Sequence, residues 1–288
     1  MKIKKVNILF FIYDRPDHTY RTITSILENG LEYINKIYVY VDGCDDVKTC
    51  DIQLHMIEVI KSTFKLYRFA NYEIIRKSYN QGIAKSITKA TNEYCSNNDL
   101  PFIVIEDDCV VKSGFFEFFT GSFEMYEKNE DIYTICGYQY LPDKKNTVTT
   151  ELTNRFNPWG WGSWPHKWNF KWRKDPLIEN EKKLIPESVK PFIGFEYLSG
   201  AMDIWSITVV IHQYLNSLYT VVPSESLVEN IGFDGTGIHS EETDVFKNED
   251  NSFIGIRFLN EIDINEEREY KIEKFLLKNL NKVMNKNE

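Results

Sequence analysis

The sequence contains few cysteines, and they follow no recognisable pattern. There are five, an odd number, and their spacing matches neither a zinc site nor a disulfide framework: Cys44, Cys50, Cys95, Cys109 and Cys136. This scarcity argues against a small disulfide-stapled domain and a structural zinc module. Cysteines without a disulfide framework are typical of a reducing compartment, so we expect a cytoplasmic protein.

A hydrophobic run long enough to cross a membrane is also absent. Val6–Tyr13 is apolar, but a spanning helix needs about 20 such residues, and no small-residue cleavage site follows the run. We interpret Val6–Tyr13 as a first strand. Peripheral attachment to the inner face of a membrane stays open.

An excess of positive charge is missing as well. The net charge is −9 and the isoelectric point is about 5.3, which argues against nucleic acid as a partner. A phosphate-binding loop of the Gly-Lys-Ser/Thr kind is absent too. An acidic protein that binds phosphates needs a metal ion or local cations.

Strands and helices alternate in the first half of the 288-residue chain. The predicted elements are Val6–Tyr13, a helix from Pro16 to Gly30, Ile37–Val41, Val47–Phe64, Tyr72–Arg76, Gly82–Asn97 and Phe102–Ile105. This order predicts an α/β fold with a mostly parallel central sheet flanked by helices. Ligands of such sheets bind at the carboxyl ends of the strands.

The second half is less regular. Its predicted elements are a helix over Ser113–Asn129, a strand at Ile132–Gly137, a polar loop at Asp143–Asn154, an aromatic segment at Phe156–Trp172, a helix over Tyr197–Leu215, a strand at Tyr219–Val222 and a helical tail from Asn265 to Lys286. The sequence has no internal repeat and no low-complexity linker, so both halves are expected in one body.

Three consecutive carboxylates, Glu106, Asp107 and Asp108, directly follow the fourth strand. They repel one another, and nothing adjacent in the sequence neutralises them. A divalent cation bound to phosphate oxygens would compensate them, because hard oxygen ligands suit Mg²⁺ or Mn²⁺. A solvated acidic turn is the alternative.

The stretch Ile103–Asp108, followed by Gly114–Phe119, resembles the Glu-Asp-Asp form of the Asp-x-Asp motif in GT-A glycosyltransferases. The resemblance is closest to the N-acetylglucosaminyltransferase I group and its bacterial relatives, and it covers roughly residues 5–240. Other segments agree in order and spacing: Arg15-Pro16, Asp42-Gly43, Asn80–Ala84, Arg155–Trp164 and Gly200–Trp205.

The resemblance implies roles for the residues at the strand ends. Asp108 would bind Mn²⁺ or Mg²⁺, while Glu106 and Asp107 would face the ribose and the sugar. Asp42 would receive the uracil of a UDP-sugar, with Arg15 near the nucleotide. Asp42-Gly43 is also a common turn pair, and Arg15 could simply stabilise a helix start, so structural roles stay open.

Two further segments are candidates for substrate binding. Asn80 and Gly82 open a helix after a strand, where a backbone without a side chain and a helix N-terminus both favour phosphate; a plain helix cap is the alternative. Trp159, Trp161 and Trp164 alternate with glycines, which suits stacking against sugar faces. An aromatic cluster in a small core is the alternative.

The candidate catalytic base is Asp203, which lies in an apolar stretch just before Trp205. Burial there would raise the pKa of its carboxyl and fit it to deprotonate an acceptor hydroxyl. The resembled group has an Asp-Asp-Trp run here, and this chain keeps one of the two acids. Glu196 is the rival base, and Asp203 could instead cap a helix.

A Gly-rich loop, Glu229–His239, would close over the bound donor as a lid. His239 at its end would complete the metal shell or contact the diphosphate; an ordinary surface loop is the alternative.

These features and the resemblance together predict a metal-dependent glycosyltransferase that moves a sugar from a nucleoside diphosphate to a carbohydrate acceptor. The resemblance further implies inversion of the anomeric centre and a role in surface polysaccharide or glycan synthesis. Residues 1–135 would bind the nucleotide sugar, 136–245 the acceptor, and 246–288 would form a helical tail.

Two alternatives remain. A sugar-1-phosphate nucleotidyltransferase of related fold would want a Gly-rich basic loop after the first strand, which Asp14–Asp17 is not. The acidic triplet disfavours a non-catalytic carbohydrate-binding protein.

Overall fold

The computed structural model describes residues 5–143, 146–194, 198–200, 205–236, 242–247 and 255–284. Its first half repeats a strand–helix unit, as the sequence predicts. The elements are β1 (Val6–Ile12), α1 (Pro16–Gly30), β2 (Ile34–Val41), α2 (Val47–Leu66), β3 (Tyr72–Arg76), α3 (Ile83–Asn97) and β4 (Phe102–Glu106).

The second half adds short strands and three further long helices. Its elements are β5 (Cys109–Val111), α4 (Phe115–Tyr126), β6 (Ile132–Cys136), β7 (Thr147–Thr153), β8 (Trp161–Ser163), α5 (Glu179–Lys182), a 3₁₀ turn (Lys190–Phe192), α6 (Trp205–Asn216), β9 (Tyr219–Pro223), β10 (Val228–Asn230), β11 (Gly255–Arg257) and α7 (Glu266–Met284). Helix α7 lies within the segment 246–288 predicted as a helical tail, which also contains β11. None of the described helices combines the length and apolar character that a membrane span requires.

Nine strands form one central sheet in the order β11-β7-β9-β6-β8-β4-β1-β2-β3. Strands β3, β2, β1 and β4 are parallel neighbours. Strand β8 lies antiparallel between β4 and β6, and β6 pairs parallel with β9. Strands β5 and β10 form a separate antiparallel pair. The predicted α/β fold with a mostly parallel sheet is confirmed.

Strand β1 shows why the sheet is covered on both faces. All seven of its residues are buried, and alternate side chains enter different cores. Ile8 and Phe10 pack with α1, α2 and α4, whereas Leu9 and Phe11 pack with α3 and α6. A continuous apolar run is typical of a parallel strand buried on both faces.

Two stretches of the second half differ from the prediction. The expected polar loop Asp143–Asn154 contains strand β7, whose β-branched threonines favour extended backbone. The hydroxyl of buried Thr150 is hydrogen-bonded to the hydroxyl of Tyr126 in α4, with 2.7 Å between the two oxygens. The helix expected over Tyr197–Leu215 is described from Trp205 onward as α6. Residues 195–197 and 201–204 lie outside the described part of the chain.

The cysteines also depart from the prediction, because Cys44 and Cys50 form a disulfide. Asp46 caps α2 by accepting from the Thr49 amide, and this turn brings the two cysteine Cα atoms within 5.2 Å of each other. A pair six residues apart arises from one local helix cap rather than from a framework pattern. Cys95, Cys109 and Cys136 are free.

Candidate functional site

A cavity of about 500 Å³ opens at the carboxyl ends of β1, β2 and β4. Its lining brings together most of the residues that the sequence singles out. These are Arg15, Asp42, Asn80, Gly82, Glu106, Asp107, Asp108 and Trp159. The remaining wall comes from the start of α6, from the segment around Arg155 and from α7. The strand ends therefore position one shared site, as expected for a parallel sheet.

Arg15, which is distant in the sequence, offsets part of the charge of the acidic triplet by pairing with two of its three carboxylates. Its guanidinium pairs with the Asp107 carboxylate and lies 2.9 Å from Asp108 Oδ2. The sequence conceals this pair because 92 residues separate Arg15 from Asp107. Desolvation of the guanidinium is outweighed by the two carboxylates, so the pKa of Arg15 rises and its charge is permanent.

Asp107 is a buried anchor rather than an open ligand. Its side chain is only 5% exposed, and its backbone oxygen accepts a 2.7 Å hydrogen bond from Thr22 of α1. Burial raises the pKa of the Asp107 carboxyl; the charge of Asp108 adds to this rise, and Arg15 opposes it. The Arg15 pair is therefore what favours the ionised form of Asp107.

Asp108 sits beneath the segment that enters the predicted lid. The Ile231 amide donates to the Asp108 carbonyl at 2.8 Å, which continues the β5–β10 pairing. A Cβ at Gly232 would collide with Asp108 Oδ2, so a larger residue here would have to displace the Asp108 carboxylate. His18 fixes the same segment to α1, with Nε2 3.2 Å from Asp234 Oδ2. The described part of the lid is thus tied down at both Asp108 and α1.

Asp42 lies at the end of β2 and holds the turn before α3. Both of its oxygens are 3.1 Å from the Gln81 amide, and Oδ1 also accepts from the Gly43 amide at 2.9 Å. Asn80 accepts from the Gly82 amide at 2.9 Å, and Gly82 has a φ of 77°, a conformation that favours glycine. Asp42, Asn80 and Gly82 thus have structural roles and also face the cavity.

The three tryptophans separate into two classes. Trp159 lines the cavity, where its ring packs against Phe233 and Phe246. Trp161 and Trp164 are 0% and 1% exposed and lie in the two cores. Their predicted stacking against sugars is wrong for this structure, because Trp161 in strand β8 and Trp164 directly after it both point into the interior. Trp164 also donates its indole N–H to the Phe123 carbonyl at 3.2 Å.

Three predicted residues, Glu196, Asp203 and His239, lie outside the described part of the chain. Among the described residues, no cluster of three or more histidines, cysteines or carboxylates could hold a metal by itself. One protein carboxylate at Asp108 still fits Mg²⁺ or Mn²⁺, because such ions commonly take one or two carboxylates and complete their shell with substrate phosphates and water.

Part of the cavity wall is formed by residues that the sequence does not single out for substrate binding. Tyr140, Arg155, Ser188 and Leu276 line the cavity, although they come from four separate segments of the chain. Arg155 is 5% exposed, and a charged residue that follows a threonine-rich strand and precedes Phe156 was the available signal. Leu276 shows that helix α7 contributes to the site.

No protein family and no curated protein matches the sequence. Solved structures resemble the fold at low identity. TarS from S. aureus in complex with UDP is 10% identical with a TM-score of 0.45, and the match covers 98% of this chain and 67% of that chain.

Two other solved structures match with a TM-score of 0.38 each. Mannosyltransferase PcManGT from Pyrobaculum calidifontis, in complex with GDP-Man and Mn²⁺, is 9% identical over 56% of this chain and 44% of its own. A UDP-glucose pyrophosphorylase complexed with UDP-glucose is 10% identical over 75% of this chain and 89% of its own. The chain spans less than half of the mannosyltransferase. These are likenesses of fold alone.

Proposed function

We propose that this protein is a GT-A glycosyltransferase that moves a sugar from a UDP-sugar to a carbohydrate acceptor with the help of Mn²⁺ or Mg²⁺. The observation that carries the proposal is the meeting of Arg15, Asp42 and the triplet Glu106–Asp108 in one cavity at the strand ends. The order of these residues in the chain resembles that of the N-acetylglucosaminyltransferase I group.

Asp108 is the residue that would hold the metal ion, with His239 as a second candidate ligand. When bound, such an ion neutralises the negative charge of the diphosphate leaving group. Arg15 already contacts Asp108, so its guanidinium stands where it can donate to the same phosphate oxygens. Glu106 is proposed to face the ribose and sugar side of the donor, whereas Asp107, predicted there as well, is buried and acts through its pair with Arg15.

Asp42 is proposed to accept the N–H of the uracil ring. A carboxylate oxygen accepts several hydrogen bonds, so the contacts to Gln81 and Gly43 leave lone pairs for a ligand. Because these amides fix the orientation of the carboxylate, it is pre-organised for recognition. Asn80 and Gly82 form the neighbouring rim.

Asp203 is proposed as the general base, and Glu196 is its rival. Trp205 and Ser206 at the start of α6 line the cavity, and Asp203 precedes Trp205 by two positions in the sequence. A base here would take the proton of the acceptor hydroxyl as that oxygen attacks the anomeric carbon and the diphosphate leaves. In-line attack inverts the anomeric centre. The setting we propose is surface polysaccharide or glycan synthesis on the cytoplasmic side of a membrane.

The test is hydrolysis and transfer with a panel of nucleotide sugars in the presence and absence of Mn²⁺. We expect metal-dependent release of UDP from at least one UDP-sugar, and loss of transfer by about 10²–10⁴-fold in Asp203→Asn. Glu196→Gln is the matched control and should keep most activity. Release of UTP from a UDP-sugar and pyrophosphate, without hydrolysis, would instead support a nucleotidyltransferase. Retained turnover in Asp203→Asn with collapse in Glu196→Gln would transfer the role of base to Glu196.

A further inference from the structure

A buried arginine lies at the end of the cavity formed by the second half of the chain. Arg155 is 5% exposed and lines the cavity. Its Nη2 donates to the Ser188 hydroxyl and to Glu273 Oε2, the latter at 3.1 Å. A buried guanidinium must find acceptors for its N–H groups, so the partners of the other nitrogens matter.

Glu273 is the residue that fixes this arrangement. It belongs to α7, and its carboxylate accepts the Ser188 amide at 2.7 Å and the Ser188 hydroxyl at 2.6 Å as well as Arg155 Nη2. Helix α7 is further held by Glu269, which accepts the Asn154 amide at 3.1 Å. One turn beyond Glu273, Leu276 forms part of the cavity wall.

Two groups at this end retain donors that no described residue accepts. The Nε and Nη1 of Arg155 donate to none of the residues that the structure describes, and Ser188 and Glu273 both accept from Nη2. The Tyr140 hydroxyl accepts from Asn157 at 2.9 Å and, within the described chain, donates to nothing. Burial raises the pKa of Tyr140, so its hydroxyl keeps its proton.

Charge decides which ligand these donors select. The Glu273 carboxylate neutralises the Arg155 guanidinium at 3.1 Å, so the site offers hydrogen-bond donors without a net positive charge. An anionic group would be repelled by Glu273, whereas the oxygen of a neutral hydroxyl would not. Trp159 and Phe192 add aromatic rings to the same cavity, and such rings suit the C–H faces of a sugar.

We infer that Arg155 and Tyr140 bind hydroxyl groups of a neutral acceptor sugar, and that Glu273 of α7 is a positioning residue for this subsite. The inference rests on the proposed function, because it identifies the bound sugar as the acceptor that receives the transferred sugar. The helical tail is then part of the acceptor site rather than an appendage.

The test measures binding of methyl β-glucoside and methyl β-glucuronide to the full chain by calorimetry and ligand-observed NMR. These probes differ mainly by a carboxylate. We expect the unmodified protein to prefer the glucoside. Tyr140→Phe should weaken glucoside binding by about 5-fold, the effect of one hydrogen bond of about 1 kcal/mol. Glu273→Gln should shift the preference toward the glucuronide, because it leaves the charge of Arg155 uncompensated.

The matched control is Glu267→Gln, which removes a carboxylate of α7 that is 77% exposed and pairs with Lys271; it should leave both affinities unchanged. A merely structural role for Glu273 would lower both affinities together and leave their ratio unchanged. Three outcomes would overturn the inference. They are an unchanged ratio of the two affinities in Glu273→Gln, a preference of the unmodified protein for the glucuronide, and no binding of either sugar in the millimolar range. UDP-sugar hydrolysis is measured separately, so absent hydrolysis with selective glucoside binding would reject the proposed function alone.

Discussion

The guanidinium of Arg15 lies 2.9 Å from Asp108 Oδ2 while it also pairs with Asp107. One cation from the loop after β1 thus joins two carboxylates from the loop after β4. Asp107 is the more buried of the two, with 5% of its side chain exposed against 15% for Asp108. The two carboxylates therefore have different tasks, and substitutions at Asp107 and Asp108 should separate stability from activity.

Asp108→Asn should abolish Mn²⁺-dependent transfer while the protein stays folded. An amide is a poorer ligand for a hard cation than a carboxylate, and Asp108 is the only triplet residue proposed to bind the metal. Activity is measured across a Mn²⁺ titration, and folding by circular dichroism. Asp99→Asn, at an exposed position outside the cavity lining, is the control. Full activity of Asp108→Asn, or of the unmodified protein in excess EDTA, would contradict the metal role.

Arg15→Met should lower the free energy of unfolding by about 3 kcal/mol, because it leaves Asp107 buried without its partner. Asp107→Asn in the same chain should recover most of that loss, since the uncompensated charge is then gone. Urea denaturation of the two single variants and the double variant gives the coupling energy. If the loss of unfolding free energy in the double variant equals the sum of the losses in the two single variants, the Arg15–Asp107 pair contributes nothing to stability.

Gly232→Ala should lower transfer by about 10²-fold with little loss of stability. The added Cβ collides with Asp108 Oδ2, and misplacement of a reacting group by about 1 Å has an effect of that size. Gly255→Ala is a matched control, because a Cβ at Gly255 meets nothing within 4 Å. Equal kinetics for the two variants would mean that the position of Asp108 does not matter.

UDP with Mn²⁺ should raise the melting temperature more than GDP or CMP does, and Asp42→Ala should remove the difference. Stabilisation by a ligand follows RT ln(1 + [L]/Kd), so a 10-fold preference at saturation appears as about 1.4 kcal/mol. Because Asp42 also holds the Gln81 amide, the melting temperature of Asp42→Ala without ligand is measured as the baseline. A larger shift with GDP would reject uridine while sparing the fold.

Replacing both Cys44 and Cys50 by serine should lower the free energy of unfolding by about 2 kcal/mol. The disulfide closes a loop of six residues, and the entropy of closing so short a loop corresponds to about that value. Denaturation is measured with and without dithiothreitol, which should remove the difference. Cys95→Ser, at a free cysteine, is the control. Five reactive thiols in the unreduced protein would show that the bond does not form.

The sequence predicts the first half of the fold well, because each strand from β1 to β4 is a short apolar run and each helix has its own periodic apolar face. It also predicts that Arg15, Asp42 and Glu106–Asp108 share one edge of the sheet, since parallel strands bring their carboxyl ends together. It cannot predict which carboxylate Arg15 neutralises, because that depends on side-chain geometry between residues 92 positions apart.

The second half of the fold is harder to predict from the sequence, and the reason is physical. Strands β8 and β10 have three residues each, too few for an alternating pattern to emerge. The role of Glu273 was hidden because α7 is amphipathic and charged, so its carboxylates are typical of a solvated face. Only tertiary packing distinguishes Glu273, which meets Arg155, from Glu267, which meets solvent.

Strand β8 has a consequence for the order in which the chain can fold. Its three residues, Trp161–Ser163, pair with β4 on one side and β6 on the other, so they are the only described hydrogen-bonded link between the two parts of the sheet. Until residue 163 has left the ribosome, β4 is an open edge with an apolar face on either side. A chain arrested near residue 135 would therefore present that edge to other nascent chains and be prone to aggregate.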